Sequence, residues 1–425
     1  MKTKALAMVL TIAASAPALG DPPPPPRGVV VEVAAGRHGR RETPVVLALP
    51  APLAGVRAVT LTDLDQDRAV EAQLFDLPGQ APSVAWIIRE PLPAGATRRY
   101  RLEPAQHRGS ARAAVTCLGD GKHLQLQIGG RPILQYNTAM VEPPGGIEPY
   151  YRRSGQIHPL FTPSGRIVSD DFPPDHAHQH AVFFAWVNTT FEGRHLDFWN
   201  QKEQSGRIEH AATLGMAGGP VFGQFQVKLR HDDMTAPGGP RPVLDEVWTV
   251  RAYNVSDVFL VDFESRQTCA GDEPLVVNKY HYGGMGLRGN RDWFDPAVKG
   301  NSAPDPARSG GSDFLTSEGK TRATGNHTTP DWVDLSGRIG ARPGGVALFD
   351  HPENFRFPQP VRLHPNKPYF CFAPMVADSF EIAPGRPYVS RYRFVVHDGA
   401  PEVATLQRLW HDYAEPPRVQ VASEP

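Results

Sequence analysis

The densest chemistry in this sequence lies between Asp170 and His180, where Asp170-Asp171-Phe172-Pro173-Pro174-Asp175 runs into His176-Ala177-His178-Gln179-His180. On an extended backbone His176, His178 and His180 project from one face. Their imidazoles, with Asp175, could then ligate a divalent metal such as zinc or calcium. Proton transfer is the other use, because imidazole changes charge near neutral pH and Asp170, Asp171 or Asp175 can fix its tautomer. That route needs no metal, and the spacing serves both, as it would serve a loop of purely structural hydrogen bonds.

Three further clusters could join this one. Asp197-Phe198-Trp199-Asn200-Gln201-Lys202 mixes aromatic, amide and charged groups, suited to stacking on a sugar face while bonding its hydroxyls. Asn278-Lys279-Tyr280-His281-Tyr282-Gly283-Gly284-Met285-Gly286-Leu287-Arg288 sets a His between two Tyr, before a glycine turn and an Arg able to hold oxygens. In a strand Tyr280 and Tyr282 share one face and His281 takes the other, so all three line one pocket only where the strand ends. His351-Pro352-Glu353-Asn354 follows the apolar run Val346-Ala347-Leu348-Phe349, which places His351 at a strand end. His397 sits in the alternating run Arg391-Tyr392-Arg393-Phe394-Val395-Val396 and reads as structural. Spacing picks out no isolated carboxylate pair, and the glycine cluster at 283–286 lacks the strand and helix of a nucleotide-binding fingerprint.

Short β-rich runs must position these groups. From 28 to 105 they are split by Pro/Gly turns, as in Val29-Val30-Val31-Glu32-Val33 and Val84-Ala85-Trp86-Ile87-Ile88, which predicts a small sandwich. Residues 106–415 carry longer runs, such as those at 223–229 and 258–263, and predict a larger antiparallel β domain. The Gly/Ser/Asp-rich stretch 292–342 reads as a long active-site loop, although Trp293 and Trp332 within it argue against simple disorder. One helix is expected over 402–414, with Val403, Leu406, Leu409 and Trp410 on one face, ended by Pro416-Pro417; 416–425 reads as a tail. The fold class is therefore all-β, a small N-terminal β-sandwich before a large antiparallel domain, with one C-terminal helix.

Lys and Arg number 44 against 45 Asp and Glu, a formal charge of −1, so no nucleic-acid partner is expected from bulk charge. The 40 Gly and 44 Pro make the chain turn-rich, while 7 Trp, 20 Phe and 11 Tyr supply a core that a disordered chain lacks. Lys2 and Lys4 ahead of the apolar run Ala5 to Ala14, with Ala18-Leu19-Gly20 after it, read as a secretory signal over 1–20, followed by a Pro-rich linker at 21–27. No later run is long and apolar enough to span a membrane, so a periplasmic or secreted protein is expected, without a stable span once the signal is removed. Cys117, Cys269 and Cys371 allow at most one disulfide and form no zinc-finger pattern; buried thiols are the expectation.

His158-Pro159-Leu160, the run at 171–180, Asp197-Phe198-Trp199-Asn200, Tyr282-Gly283-Gly284-Met285-Gly286-Leu287-Arg288 and His351-Pro352-Glu353-Asn354 together resemble the PmoA-like family, also labelled methane oxygenase PmoA. Ala177 and Ala181 stand where that resemblance leads one to expect Pro and Gly. The methane oxygenase subunit is an integral membrane protein, which this chain, lacking a span after its signal, is not. Members of the family usually sit among exported sugar-degrading functions. The larger domain is also similar, by fold analogy, to the β-supersandwich of galactose mutarotases and polysaccharide lyases, which hold sugars on a concave sheet. The resemblance implies a carbohydrate or glycoside substrate and an enzyme doing proton transfer in hydrolysis, elimination or epimerisation. His176, His178, His180, His281 and Tyr280 would be its acids and bases, and Asp197, Trp199, Asn200, Arg288 and His351 would hold substrate. No cofactor is fixed by the resemblance, and a divalent metal, zinc or calcium, stays open. The alternatives are a metal-dependent hydrolase or lyase with His ligands, and a non-catalytic glycan binder stacking sugars on Trp199, Trp293 and Trp332.

Overall fold

The computed structural model describes residues 28–76, 81–106, 114–293 and 311–422. The signal and linker expected over 1–27 lie outside them. The architecture is all-β. Two eight-stranded antiparallel sheets dominate, and each follows from the alternation of its strands. In Arg241–Tyr253, Leu244, Glu246, Trp248 and Val250 are buried while Asp245, Val247, Thr249 and Arg251 between them are partly exposed.

The first large sheet runs Gly206–Ala217, Phe222–Asp233, Arg241–Tyr253, Val258–Cys269, Tyr388–Asp398, Arg342–Asp350, Trp332–Ile339 and Ser312–Thr316. The second runs Val361–Leu363, Tyr369–Phe372, Gly284–Arg288, Val182–Ala185, Ile157–Leu160, Arg131–Asn137, His123–Ile128 and Val115–Gly119. One continuous core fills the space between them, built on Phe183, Phe184, Trp186, Trp199, Trp248, Phe263 and Trp293. The run at 182–185 is buried at every residue because it is central in its sheet and covered on both faces.

The small sandwich at the N-terminal end pairs a five-stranded sheet with a three-stranded one over its own core of Val31, Val33, Trp86, Tyr100 and Leu102. Its edge strand is Arg418–Val421, which pairs antiparallel with Val29–Ala34. The tail expected over 416–425 is thus in part a strand that returns to the start of the fold. The helix Val403–Ala414 packs Leu406, Leu409 and Trp410 into a third cluster with Ala85, Ile87, Phe349 and Val395, joining the small sandwich to the back of the large sheet.

The long loop expected over 292–342 carries two strands where it is described. Ser312–Thr316 and Trp332–Ile339 are neighbouring strands, and Trp293 and Trp332 are buried. Glycine and serine content hid two strands whose buried apolar positions are Phe314, Trp332, Val333 and Leu335. Residues 294–310 of that stretch lie outside the described residues. The three cysteines are free thiols, with Cys371 fully buried.

Candidate active site

The histidine run is a loop and not a strand. Pro173 and Pro174 cannot donate to a ladder, and the chain turns instead, His176 N–H donating to Pro173 O at 3.0 Å and Gln179 N–H to His176 O at 2.8 Å. Asp171 and His180 close the base through an isolated antiparallel bridge, reinforced by His180 Nδ1 to Asp171 Oδ1 at 2.8 Å. The backbone of Arg288 fastens both feet: Asp170 N–H donates to Arg288 O, and Arg288 N–H to Ala181 O. Ala181 has φ of 55°, a left-handed conformation that glycine adopts without a Cβ penalty, which fits the Gly expected there.

This geometry divides the three histidines. His180 is fully buried, and both its ring nitrogens are engaged, Nδ1 by Asp171 and Nε2 by Gln201 Oε1 at 2.6 Å. Gln201 in turn donates to the carbonyl of Arg152 at 3.2 Å. His180 therefore fastens the loop and has no nitrogen left for a substrate. His176 has Nδ1 on Asp175 Oδ2 at 2.9 Å, with its side chain 32% exposed. His178 lies beside it, the rings T-shaped at 5.6 Å. Burial, then the neighbouring His176, His180 and Arg288, push His178 down to about 3, so it is neutral at physiological pH.

Asp175 is the hub. Besides His176 it accepts Arg288 Nη2 at 3.1 Å and Lys367 Nζ at 3.1 Å. Burial opposes its ionisation, but the His176 hydrogen bond and the Arg288 and Lys367 charges outweigh that and hold it well below the usual carboxylate range. Arg288, with no exposed surface, donates its other arm to Gln179 Oε1 at 2.6 Å. It braces the loop and is not placed to hold substrate oxygens.

Asp175, His176 and His178 line a cavity of about 540 Å³ together with Asp197, Asn200, Lys202, Glu203, Tyr150 and Tyr151. Asp197 accepts the backbone N–H groups of Trp199 and Asn200 and Asn200 Nδ2, so it shapes the turn. Burial raises it despite those bonds. Asn200 Oδ1 accepts Tyr282 O–H at 3.0 Å, which ties the 278–283 segment to the cavity wall. Trp199 is fully buried against Phe183, ring centroids 4.3 Å apart, and so supports the wall from behind.

Other expected members are not brought in. Residues 278–283 are not a strand, and the rings of Tyr280, His281 and Tyr282 pack on one another at 4.4 to 5.1 Å. Neither Tyr280 nor His281 lines the cavity; the His281 carbonyl accepts His327 Nε2. His351 packs on Tyr413 of the helix, ring centroids 4.8 Å apart, and its backbone N–H donates to Asp350. Trp199, Trp293 and Trp332 are 0 to 1% exposed, so none is a stacking platform. Nor do Asp175, His176, His178 and His180 converge as a metal set: among the described residues the grouping of three ligand atoms within 4.8 Å of one another is His38, His411 and Glu415.

Sequence reading missed His364 and Lys367. His364 packs T-shaped on His176 at 5.6 Å, and burial followed by the charges of His176 and Arg362 pushes it down to about 3. Their signal was present: a polar His-Pro-Asn-Lys turn between the apolar strands Val361–Leu363 and Tyr369–Phe372, the strand-end pattern that drew attention to His351. Tyr150 and Tyr151 gave less warning, in a Pro-rich stretch without periodicity.

Fold and site together define an all-β protein of stacked antiparallel sandwiches with a polar, histidine-bearing cleft. The model of a family of unknown function, DUF6807, matches residues 123–411, and the chain belongs to that family. The matched span contains every residue of the cleft. No curated protein matches the chain. Among solved structures it is similar to a glycosyl hydrolase family 38 protein from Enterococcus faecalis, with 11% identity and a TM-score of 0.44, covering 94% of this chain and 48% of that one. An alpha-mannosidase from Enterococcus faecalis V583 gives 10% and 0.44, covering 94% and 46%. A galactose mutarotase related enzyme from Lactobacillus acidophilus gives 10% and 0.31, covering 68% and 99%. The chain spans about half the length of the first two. No helix among the described residues is long and apolar enough to cross a membrane.

Proposed function

We propose that this protein is a carbohydrate-active enzyme in which His176 moves a proton at a sugar carbon or a glycosidic oxygen. The observation that carries the reading is the Asp175–His176 pair, 2.9 Å apart, on the wall of a cavity of about 540 Å³. Asp175 accepts Nδ1–H, which leaves the lone pair of Nε2 as the base. Arg288 and Lys367 keep Asp175 a carboxylate, so it orients the imidazole without competing for the proton. The cavity falls in the range of roughly 300–1,000 Å³ usual for small-ligand sites. Its lining of Glu148, Asn200, Lys202 and Glu203 with Tyr150 and Tyr151 suits a ligand that has many hydroxyls and one apolar face. His178, neutral, serves as a donor or acceptor to a hydroxyl. Hydrolysis, elimination and epimerisation share this proton transfer. With the signal read at 1–20, the substrate is met outside the cytoplasm.

The test is a panel of oligosaccharides and aryl glycosides incubated with tag-free protein, products followed by chromatography, beside His176→Gln. Turnover by the parent, with kcat about 10² to 10⁴ lower and KM little changed in the variant, is the expected result. Equal turnover by both proteins, or no sugar bound or changed, refutes the reading. Sugar affinity without turnover in the parent would establish a glycan-binding protein in its place.

A further inference from the structure

Far from the cleft in sequence, the end of the C-terminal helix meets the turn that follows the first strand of the small sandwich. His411 lies in the last turn of that helix, Glu415 is the cap just beyond it with its backbone N–H donating to His411 O, and His38 comes from the turn after Val29–Ala34. The His38 and His411 rings stack at 3.8 Å and 13°, so their in-plane lone pairs converge on one ion only once one ring has turned, and His38 Nε2 lies 3.4 Å from Glu415 Oε2. One ligand atom from each residue falls within 4.8 Å of the others, against about 3.4 Å between ligands of a tetrahedral ion with bonds near 2.1 Å.

Two observations indicate that a cation suits this place. Arg37 already puts one there: its Nε donates to His38 Nε2 at 3.2 Å and to Glu415 Oε2 at 2.7 Å, and its Nη2 donates to Glu415 Oε1. The lone pair of His38 Nε2 and both Glu415 oxygens thus face a positive group on a side chain 74% exposed. In addition, His411 Nδ1 is buried with no hydrogen-bond partner among the described residues, the kind of polar atom that normally finds one.

We propose that His38, His411 and Glu415 form a binding site for a divalent transition metal of the zinc type, which clips the C-terminal helix to the small sandwich. Two imidazoles and one carboxylate are a ligand set that zinc accepts, and a fourth position stays open to water. The ion displaces Arg37, whose exposed side chain swings into solvent. The junction does not depend on the metal for folding. Arg40, buried beneath it, binds Asp412 Oδ1 at 3.0 Å and the carbonyls of Ala35, His411 and Glu415. This site is independent of the sugar reading of the cleft.

The experiment is calorimetric titration of EDTA-treated, tag-free full chain with zinc chloride, with cobalt(II) absorption as a second readout. One zinc per chain and a tetrahedral cobalt spectrum are expected. His411→Ala should weaken zinc by at least about 100-fold, and His176→Ala with His178→Ala should leave it unchanged. Arg37→Ala should tighten zinc by about tenfold, because it removes a competing cation. Since Arg37 is on the surface, that variant keeps the test decisive even if His411→Ala unfolds. No zinc uptake, or uptake unaffected by both His411→Ala and Arg37→Ala, overturns the proposal.

Discussion

Replacing Asp175 with Asn tests whether one buried carboxylate holds the cleft together. Three donors converge on it at 2.9 to 3.1 Å, and the side chains of the two permanent cations, Arg288 and Lys367, are 0% and 6% exposed. Asn keeps the shape but removes the charge, leaving two buried cations facing each other. Removing one partner of a buried pair costs about 3–5 kcal/mol. Arg288 retains Gln179 and feels the Asp170 charge, so the lower end, about 3 kcal/mol, is expected. In a Lys367→Met background part of the repulsion is gone, and the same change should cost about 1–2 kcal/mol less. The assay is urea unfolding of all four proteins at pH 7, followed by tryptophan fluorescence. The pH dependence has a definite sign. The folded value of Asp175 is below its unfolded one, so its stabilisation is complete above the ordinary carboxylate range and fades as the pH falls through the folded value. The gap between parent and Asp175→Asn should therefore narrow on acidification below about pH 4. A loss under about 1 kcal/mol, or the same loss in both backgrounds, would refute the argument.

Other consequences follow from single residues. His180→Ala should destabilise strongly, by about 3 kcal/mol or more, since it strips Asp171 of its buried partner, whereas His176→Ala should melt within a few degrees of the parent; thermal unfolding separates the two. Burial pushes Asp350 up to about 7. Its folded value exceeds its unfolded one, so stability should decline as pH rises from about 4 to 7, and that slope should be missing in Asp350→Asn when unfolding is measured across the range. Gly284 has φ of 87°, and a Cβ there would lie 2.4 Å from Phe372 O; Gly284→Ala should therefore cost about 3 kcal/mol or more, visible as a lowered urea midpoint.

Much of the fold was legible from sequence because strand alternation and turn residues are local signals. The strands at 29–34, 83–88 and 258–269 and the helix at 403–414 fall where period and punctuation place them. The strands at 312–316 and 332–339 escaped, since their glycines and serines mimic a loop and their burial comes only from neighbours distant in sequence.

The site divides along the same line. Sequence alone singled out the Asp-His run, because residue types that move protons or bind metals are readable at any conformation. Which imidazole faces the cleft was decided only by tertiary structure. Two prolines turned the expected strand into a loop, and Arg288, 113 positions from Asp175, turned that carboxylate into a hub. His180 was consumed by Asp171 and Gln201, while among the described residues His176 bonds through Nδ1 alone. His38 and His411 stack although the small sandwich and the helix stand at opposite ends of the chain. Periodicity reports which face of an element is buried; which side chains from distant elements meet depends on packing, and that is fixed only when the sheets and the helix close on one another.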